Sequence, residues 1–332
     1  VDFSADGGVV GTCAGSVSPW NTHLGGEEWG LPSAKEFESY SDIAEAGAFK
    51  YSWRYFGLKM DNMTLEDVKG VFHPYMNGYP HEIAVDDSVD SAPPQISAVK
   101  HYSMGRYAVE LPYCLPTSPQ VCYITDDKTN GIPCAYVPDV ENDLSAGRLF
   151  CAALSMIVEP DLEKGLGGAG EFEVSWIDLG HATDAEIKAA VDSRVKFFDL
   201  FDVGTVNTSA KLREDLCDAG FTAVNAGDGV ECLKLIGSPK LASRLETRRY
   251  SAMLGATTEW TKMEGFTWDP ARNEVYMAMS SLYKSMENSA KYGSPNDAYD
   301  LGGFNNIRTK FNPCGCVYRM LLNATNFFNY IK

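Results

Sequence analysis

The chain has 332 residues, 45% of them hydrophobic, enough for a sizeable core in one large domain or two small ones. Its 45 acidic against 28 basic residues give a net charge of −17, and no basic stripe relieves it, so nucleic acid is excluded as a partner. No apolar run reaches the roughly 18 residues that a membrane helix needs, and Gly and Pro contents are too low for disorder or collagen.

In chain order, the first stretch with chemistry is GTCAGSVSPWNTHLGGEEW, Gly11 to Trp29. It holds Cys13, a Ser18-Pro19-Trp20 turn and the carboxylate pair Glu27-Glu28. A thiolate suits a soft-to-borderline metal, and carboxylates suit hard cations. A disulfide cysteine and a solvated acidic turn are the plain alternative. Ser33 to Gly47 then has helical periodicity. The runs FKYSWRYFGL (49–58), EIAVD (82–86), GRYAVEL (105–111), QVCYITDD (120–127), CAYVPD (134–139), GRLFCAAL (147–154) and FEVSWIDLG (172–180) read as strands between turn residues. Alternation sets Arg106, Ala108 and Glu110 on one face, where an Arg106–Glu110 pair competes with a ligand role for Glu110. Asp126-Asp127 closes a strand at a DDKTNG turn, where ordinary turn chemistry is the competing reading.

Asp184 to Phe201 is predicted helical, with Thr183 and Glu186 at capping-box spacing, as is Lys240 to Leu254. Strand-like GFTWDP, EVYMAMS and CGCVYRM follow. GLGGAG (165–170) fits a dinucleotide-loop pattern but precedes a strand, so that reading fails. His73, His81 and His181 have no metal-ligand spacing, and neither a serine-hydrolase elbow nor a P-loop occurs. The nine cysteines lack zinc-site spacing; Cys114, Cys122 and Cys134 flank a hairpin region as possible mutual partners, with connectivity open. If Cys13 binds metal, the remaining eight allow up to four bridges. Sequons at Asn62, Asn207 and Asn323 join the cysteines in favouring an extracytoplasmic compartment: secreted, periplasmic or an organelle lumen.

The segment from Gly11 to Trp29 resembles the cysteine-and-double-glutamate motif of the PhoX-type alkaline phosphatases. The resemblance continues in family order through GRYAVELP, VCYITDD, DLSAGRLFCAAL, WIDLGHATDAEI, the block from Leu245 to Ser280, and NPCGCVYRM. It implies an all-β chain, a β-propeller (complete or reduced) with a few helical insertions, as a single domain over 1–332 that lacks family segments at both ends. It implies a calcium and iron cluster held by Cys13, Glu27, Glu28, Glu110, Asp127 and Glu264. Lys262 and Arg248 would meet the phosphate of a phosphate-ester substrate. Two departures stand out: Lys262-Met263 replaces the family's Arg-Pro, and Val109 replaces a frequent histidine. Lysine offers a point charge where arginine offers a fork. Arg248 has a competing role as a salt-bridge partner of Glu246 or Glu259. The expected function is a metal-dependent phosphomonoesterase. The alternative is a weakly active or inactive propeller, an interaction subunit completed by a partner in an extracytoplasmic or lumenal membrane assembly. Hydrolysis of another ester, a lactone or phosphodiester, is a third possibility.

Overall fold

Several of the strand-like runs pair as antiparallel hairpins, where the turn between them is too short for a crossover. The structure, a computed structural model, describes residues 1–28, 32–59, 61–86, 94–161 and 169–332; most of GLGGAG lies outside them. Thr12–Val17 (β1), His23–Glu27 (β2), Pro80–Asp86 (β3) and Gln95–Lys100 (β4) make a four-stranded sheet. Three short helices, Ala34–Ser39 (α1), Lys50–Tyr55 (α2) and Leu65–Val71 (α3), lie between β2 and β3.

The α2 segment corrects a sequence expectation, since FKYSWRYFGL was read as a strand. Its large apolar residues Phe49, Trp53 and Phe56 recur at steps of four and three, which is the helical period. Trp53 is fully buried, with ring centroids 5.1 Å from Phe72 and 6.3 Å from Phe37. Aromatic content suggested a strand, and the packing of one helical face decided otherwise.

The chain continues through Val109–Cys114 (β5), Cys122–Asp126 (β6), Cys134–Val140 (β7), Asp143–Val158 (β8) and Glu171–Thr183 (β9). Asp184–Asp192 (α4) follows, opened by the expected Thr183–Glu186 capping box, and then Phe197–Leu200 (α5). Phe201–Gly204 (β10), Thr222–Asn225 (β11) and Val230–Leu235 (β12) form a three-stranded sheet. The expected helical stretch near residue 240 is two helices, Pro239–Leu245 (α6) and Thr247–Met253 (α7). The last strands are Met263–Asp269 (β13), Glu274–Met279 (β14), the small hairpin Ala290–Lys291 (β15) and Ser294–Pro295 (β16), Cys316–Leu322 (β17) and Phe328–Ile331 (β18).

Nine of these strands join in one sheet, in the order β13-β14-β17-β18-β9-β8-β7-β6-β5. The chain is thus mostly β with helical insertions, as expected, and its nine-stranded sheet is nearly closed. The sheet curls until its two edges meet. There Tyr113 of β5 packs on Phe266 of β13 at 5.7 Å, and Thr125 Oγ1 donates to the Glu264 carbonyl at 3.2 Å. Tyr123 points to the core inside the curl, while Cys122 and Ile124 point to a second core outside it. Burial on both faces explains why β6 reads as a nearly continuous apolar run.

Three disulfides are present among the described residues: Cys114–Cys122, Cys134–Cys151 and Cys217–Cys232. The first joins two of the three hairpin cysteines, and the third of them pairs with Cys151 instead. Cys13, Cys314 and Cys316 are free thiols. Such cross-links fit an oxidising, extracytoplasmic compartment. Among the described residues, no helix is long and apolar enough to cross a membrane.

Candidate metal centre

The meeting of the sheet's edges brings four distant segments together. Glu110 comes from β5, Asp127 directly follows β6, Glu264 lies on β13, and β1 and β2 cross β5 with Cys13 and Glu28. Gly26 permits that crossing, because a Cβ there would lie 2.3 Å from the Val109 carbonyl oxygen. The Glu28 amide then donates to Gly11 O at 2.9 Å, fixing Glu28 beside β1.

Three of these residues sit at breaks in strand register. Pairing slips between Thr12 and Gly15 around Cys13, between Val109 and Leu111 around Glu110, and between Met263 and Phe266 around Glu264. A bulge re-aims one side chain out of the regular alternation, which is why bulges recur beside active sites. The expected face shared by Arg106, Ala108 and Glu110 is therefore absent: Arg106 and Ala108 precede β5, and Arg106 Nε donates to Asn77 O at 2.7 Å.

The ligating atoms form two groups that share Glu110. Those of Cys13, Glu28 and Glu110 lie within 4.8 Å of one another, as do those of Glu110, Asp127 and Glu264. The first set mixes sulfur with oxygen and suits a soft-to-borderline metal; the second is all oxygen and suits a hard cation. Desolvation, then the facing Glu110 and Glu28 carboxylates, push the Cys13 thiol up to about 12. Burial also raises Glu110, and it lifts Asp127 to about 7 against the opposing pull of Lys262. A site of this kind holds protons until a cation displaces them. One oxygen of Asp127, Oδ1, is buried and has no partner among the described residues.

Glu27 has a different fate from Glu28. Its carboxylate accepts from the amides of Val10, Gly78 and Tyr79 and from Asn77 Nδ2, and it pairs with the buried Lys100 ammonium at 3.1 Å. The structure does not bring it to the ligand groups. Asp126 and Asp127 diverge likewise. Asp126 is fully buried, accepts from the Ala108 and Ile132 amides, and lies 3.7 Å from Arg248 Nε. Arg248 thus pairs with Asp126, and neither Glu246 nor Glu259 serves as its counter-ion as the sequence allowed. Its Nη1 is buried without a partner.

A cleft of about 780 Å³ opens beside the cluster. Arg248 and Lys262 line it, with Arg106, Lys128, Lys284 and Tyr299. Lys262 contacts Asp127 and lies 3.2 Å from Glu264. Burial alone would lower its ammonium; the two carboxylates overcome that and hold it above its ordinary value. Sequence reading missed Lys128 and Lys284. Lys128 had a weak signal in its position beside Asp127, and Lys284 had none.

A family signature described as Alkaline phosphatase PhoX matches residues 2–312. The chain belongs to the PhoX alkaline phosphatase family. Among solved structures it is similar to Pseudomonas fluorescens PhoX in complex with vanadate, a transition state analogue. The TM-score is 0.51 at 17% identity, over 98% of this chain and 47% of that one, so the two share a fold. The chain spans about half the length of that relative. No curated protein matches it significantly.

Proposed function

We propose that this chain is a metal-dependent phosphomonoesterase, acting at the seam cluster on phosphate esters that enter the cleft. One observation carries the reading. Five ligating side chains from four segments converge beside a cleft that also holds Arg248 and Lys262. Cys13, Glu28 and Glu110 would hold iron, and Glu110, Asp127 and Glu264 would hold calcium. When bound, such cations neutralise charge on phosphoryl oxygens and stabilise its growth in the transition state.

The side chains divide the remaining work. Arg248 keeps its Nε toward Asp126, and its unpartnered Nη1 is the donor left for a phosphate oxygen. Asp126 therefore orients the guanidinium in advance, so little order is lost on binding. Lys262 supplies a positive point charge, and its present contacts with Asp127 and Glu264 must loosen as cations and substrate arrive. Lys128, tied to Asp228 at 3.0 Å, and Arg106, anchored on Asn77, add a fixed positive field. The disulfides support a secreted, periplasmic or lumenal setting.

The test is hydrolysis of an aryl phosphate by the purified chain. Calcium chelation, Cys13→Ser and Glu264→Gln should each abolish turnover, and full activity in both variants would overturn the reading. A second reading, a non-catalytic interaction subunit, has one observation in its favour. The Lys262 ammonium already serves Asp127 and Glu264 as an internal counter-ion. No turnover, no bound iron or calcium, and co-purification with a partner would select it.

A further inference from the structure

One lysine on the cleft wall has no part in the chemistry proposed for the seam. Lys284 opens the single 3-10 turn Lys284–Met286, and its backbone is left-handed, with φ at +54°. Lys262 shares that geometry, at +58°. Such a conformation costs a residue with a side chain and persists only where its surroundings impose it. Buried groups impose it here. The Glu287 carboxylate, 2% exposed, accepts from the Lys284 amide at 2.9 Å and from the Tyr292 and Gly293 amides at 2.7 Å. The fully buried Ser285 hydroxyl accepts from Asn130 N at 3.2 Å and donates to Trp260 O at 3.4 Å. The turn is thereby docked on the two loops that carry Asp127 and Lys262.

The Lys284 side chain is not spent inside the protein. An ammonium has three donors. Among the described residues its polar contact is Thr129 Oγ1, at a long 3.5 Å, and no carboxylate pairs with it. It rests against the rings of Tyr283 and Tyr299, 4.8 and 5.8 Å from their centroids. The Lys291 ammonium approaches the same Tyr299 ring at 5.9 Å, and it too has no ion pair among the described residues. The other lysines of the wall are committed, Lys128 to Asp228 and Lys262 to Asp127. In a chain of net charge −17, two neighbouring lysines left without an acid at a cleft are free to meet an anion from outside.

Their place relative to the seam suggests which anion. Thr129 Oγ1, which faces Lys284, also lies 3.4 Å from the hydroxyl of Thr261, the residue before Lys262. A single side chain therefore separates Lys284 from the segment that carries Lys262. We propose that Lys284, Thr129 and, farther out, Lys291 form a second anion subsite, so that the favoured substrates are phosphate monoesters whose leaving group carries a further phosphate or carboxylate. This rests on the phosphatase reading of the seam. The distal anion takes the unspent donors of Lys284, while the two tyrosine rings keep the ammonium in position. A lysine is a point charge and demands no planar fork, so phosphate and carboxylate both fit.

The experiment uses the full chain in calcium. Calorimetry measures the binding of short α,ω-alkanebisphosphonates, from propane to hexane, against the matching alkylphosphonates that lack the second anion. At the best-fitting length the bisphosphonate should bind about tenfold tighter. Lys284→Met should remove most of that advantage. Lys234→Met, an exposed lysine of β12 away from the cleft wall, should keep it. Lys284→Gly should remove it without lowering the melting temperature, because glycine suits the left-handed backbone. No advantage at any length would overturn the subsite, as would one that survives Lys284→Met. Equal loss in Lys234→Met would overturn it too, since net charge alone would then be at work. A Lys284→Gly protein that melts lower and keeps the advantage would reduce Lys284 to a brace for the tyrosines. Hydrolysis of the corresponding phosphates is followed separately. Turnover without a bisphosphonate advantage sinks the subsite and leaves the phosphatase reading standing. A Lys284-dependent advantage without turnover does the opposite.

Discussion

Glu27 and Glu28 are adjacent in the chain yet belong to different kinds of structure. Glu27 is enclosed by backbone amides, Asn77 and Lys100, and every charge there has its answer inside the protein. Glu28 lies with Cys13 and Glu110, and among the described residues no lysine or arginine forms an ion pair with it. A second balanced region makes the same point: Arg249 is gripped by Glu231, Glu246 and Asp228. Charge that is internally paired builds the fold, whereas charge left unpaired at a cleft is available for chemistry.

Substitutions separate the two kinds. Glu28→Gln should cost at least about 100-fold in aryl phosphate hydrolysis while leaving the melting temperature of the metal-free protein nearly unchanged. Glu27→Gln should do the reverse. It strands the Lys100 ammonium in the interior, at about 3 kcal/mol of stability read by denaturant unfolding. Equal effects from both would erase the distinction. Arg248→Ala should lower kcat/KM about 100-fold with metal content retained, and Arg248→Lys should recover part of it.

A smaller effect depends on pH. His101 is buried between Asp184 at 2.9 Å and Glu82 at 3.1 Å. Burial disfavours its charge, but the two carboxylates more than offset this and raise it to about 9. A raised histidine stabilises the fold fully below its unfolded value, near 6.5, and that stability is lost as pH climbs through about 9. Unfolding free energy should therefore fall between those two values, and His101→Gln should flatten the slope. The smallest change expected is Lys188→Ala, which removes an exposed pair with Asp192 and should alter stability by less than about 0.5 kcal/mol.

Much of this was readable in advance, for identifiable reasons. The strands after residue 105 announced themselves through turn-bounded apolar runs, and the α4 capping box through Thr183 and Glu186. Cys13, Glu28, Glu110, Asp127 and Glu264 were named from motif resemblance, and the fold brings those five together. Glu27 was named with them, but one residue along a strand reverses the direction of a side chain, and no motif states which of a pair turns inward. The register breaks at Cys13, Glu110 and Glu264 were invisible, because a bulge is a relation between two strands. The same holds for the partner of Arg248 and for the disulfide joining Cys134 to Cys151, both set by which strands become neighbours.

The closure of the nine-stranded sheet also bears on how the protein behaves in a crowded solution. An open sheet offers two rows of unpaired backbone groups, on which other chains can add. Here β5 and β13 shield each other, and the contact of Lys262 with Asp127 spans the join. Substitutions at the seam thus threaten solubility as well as turnover. An inactive variant recovered only as aggregates would report on loosened strand edges before it reported on the loss of a ligand.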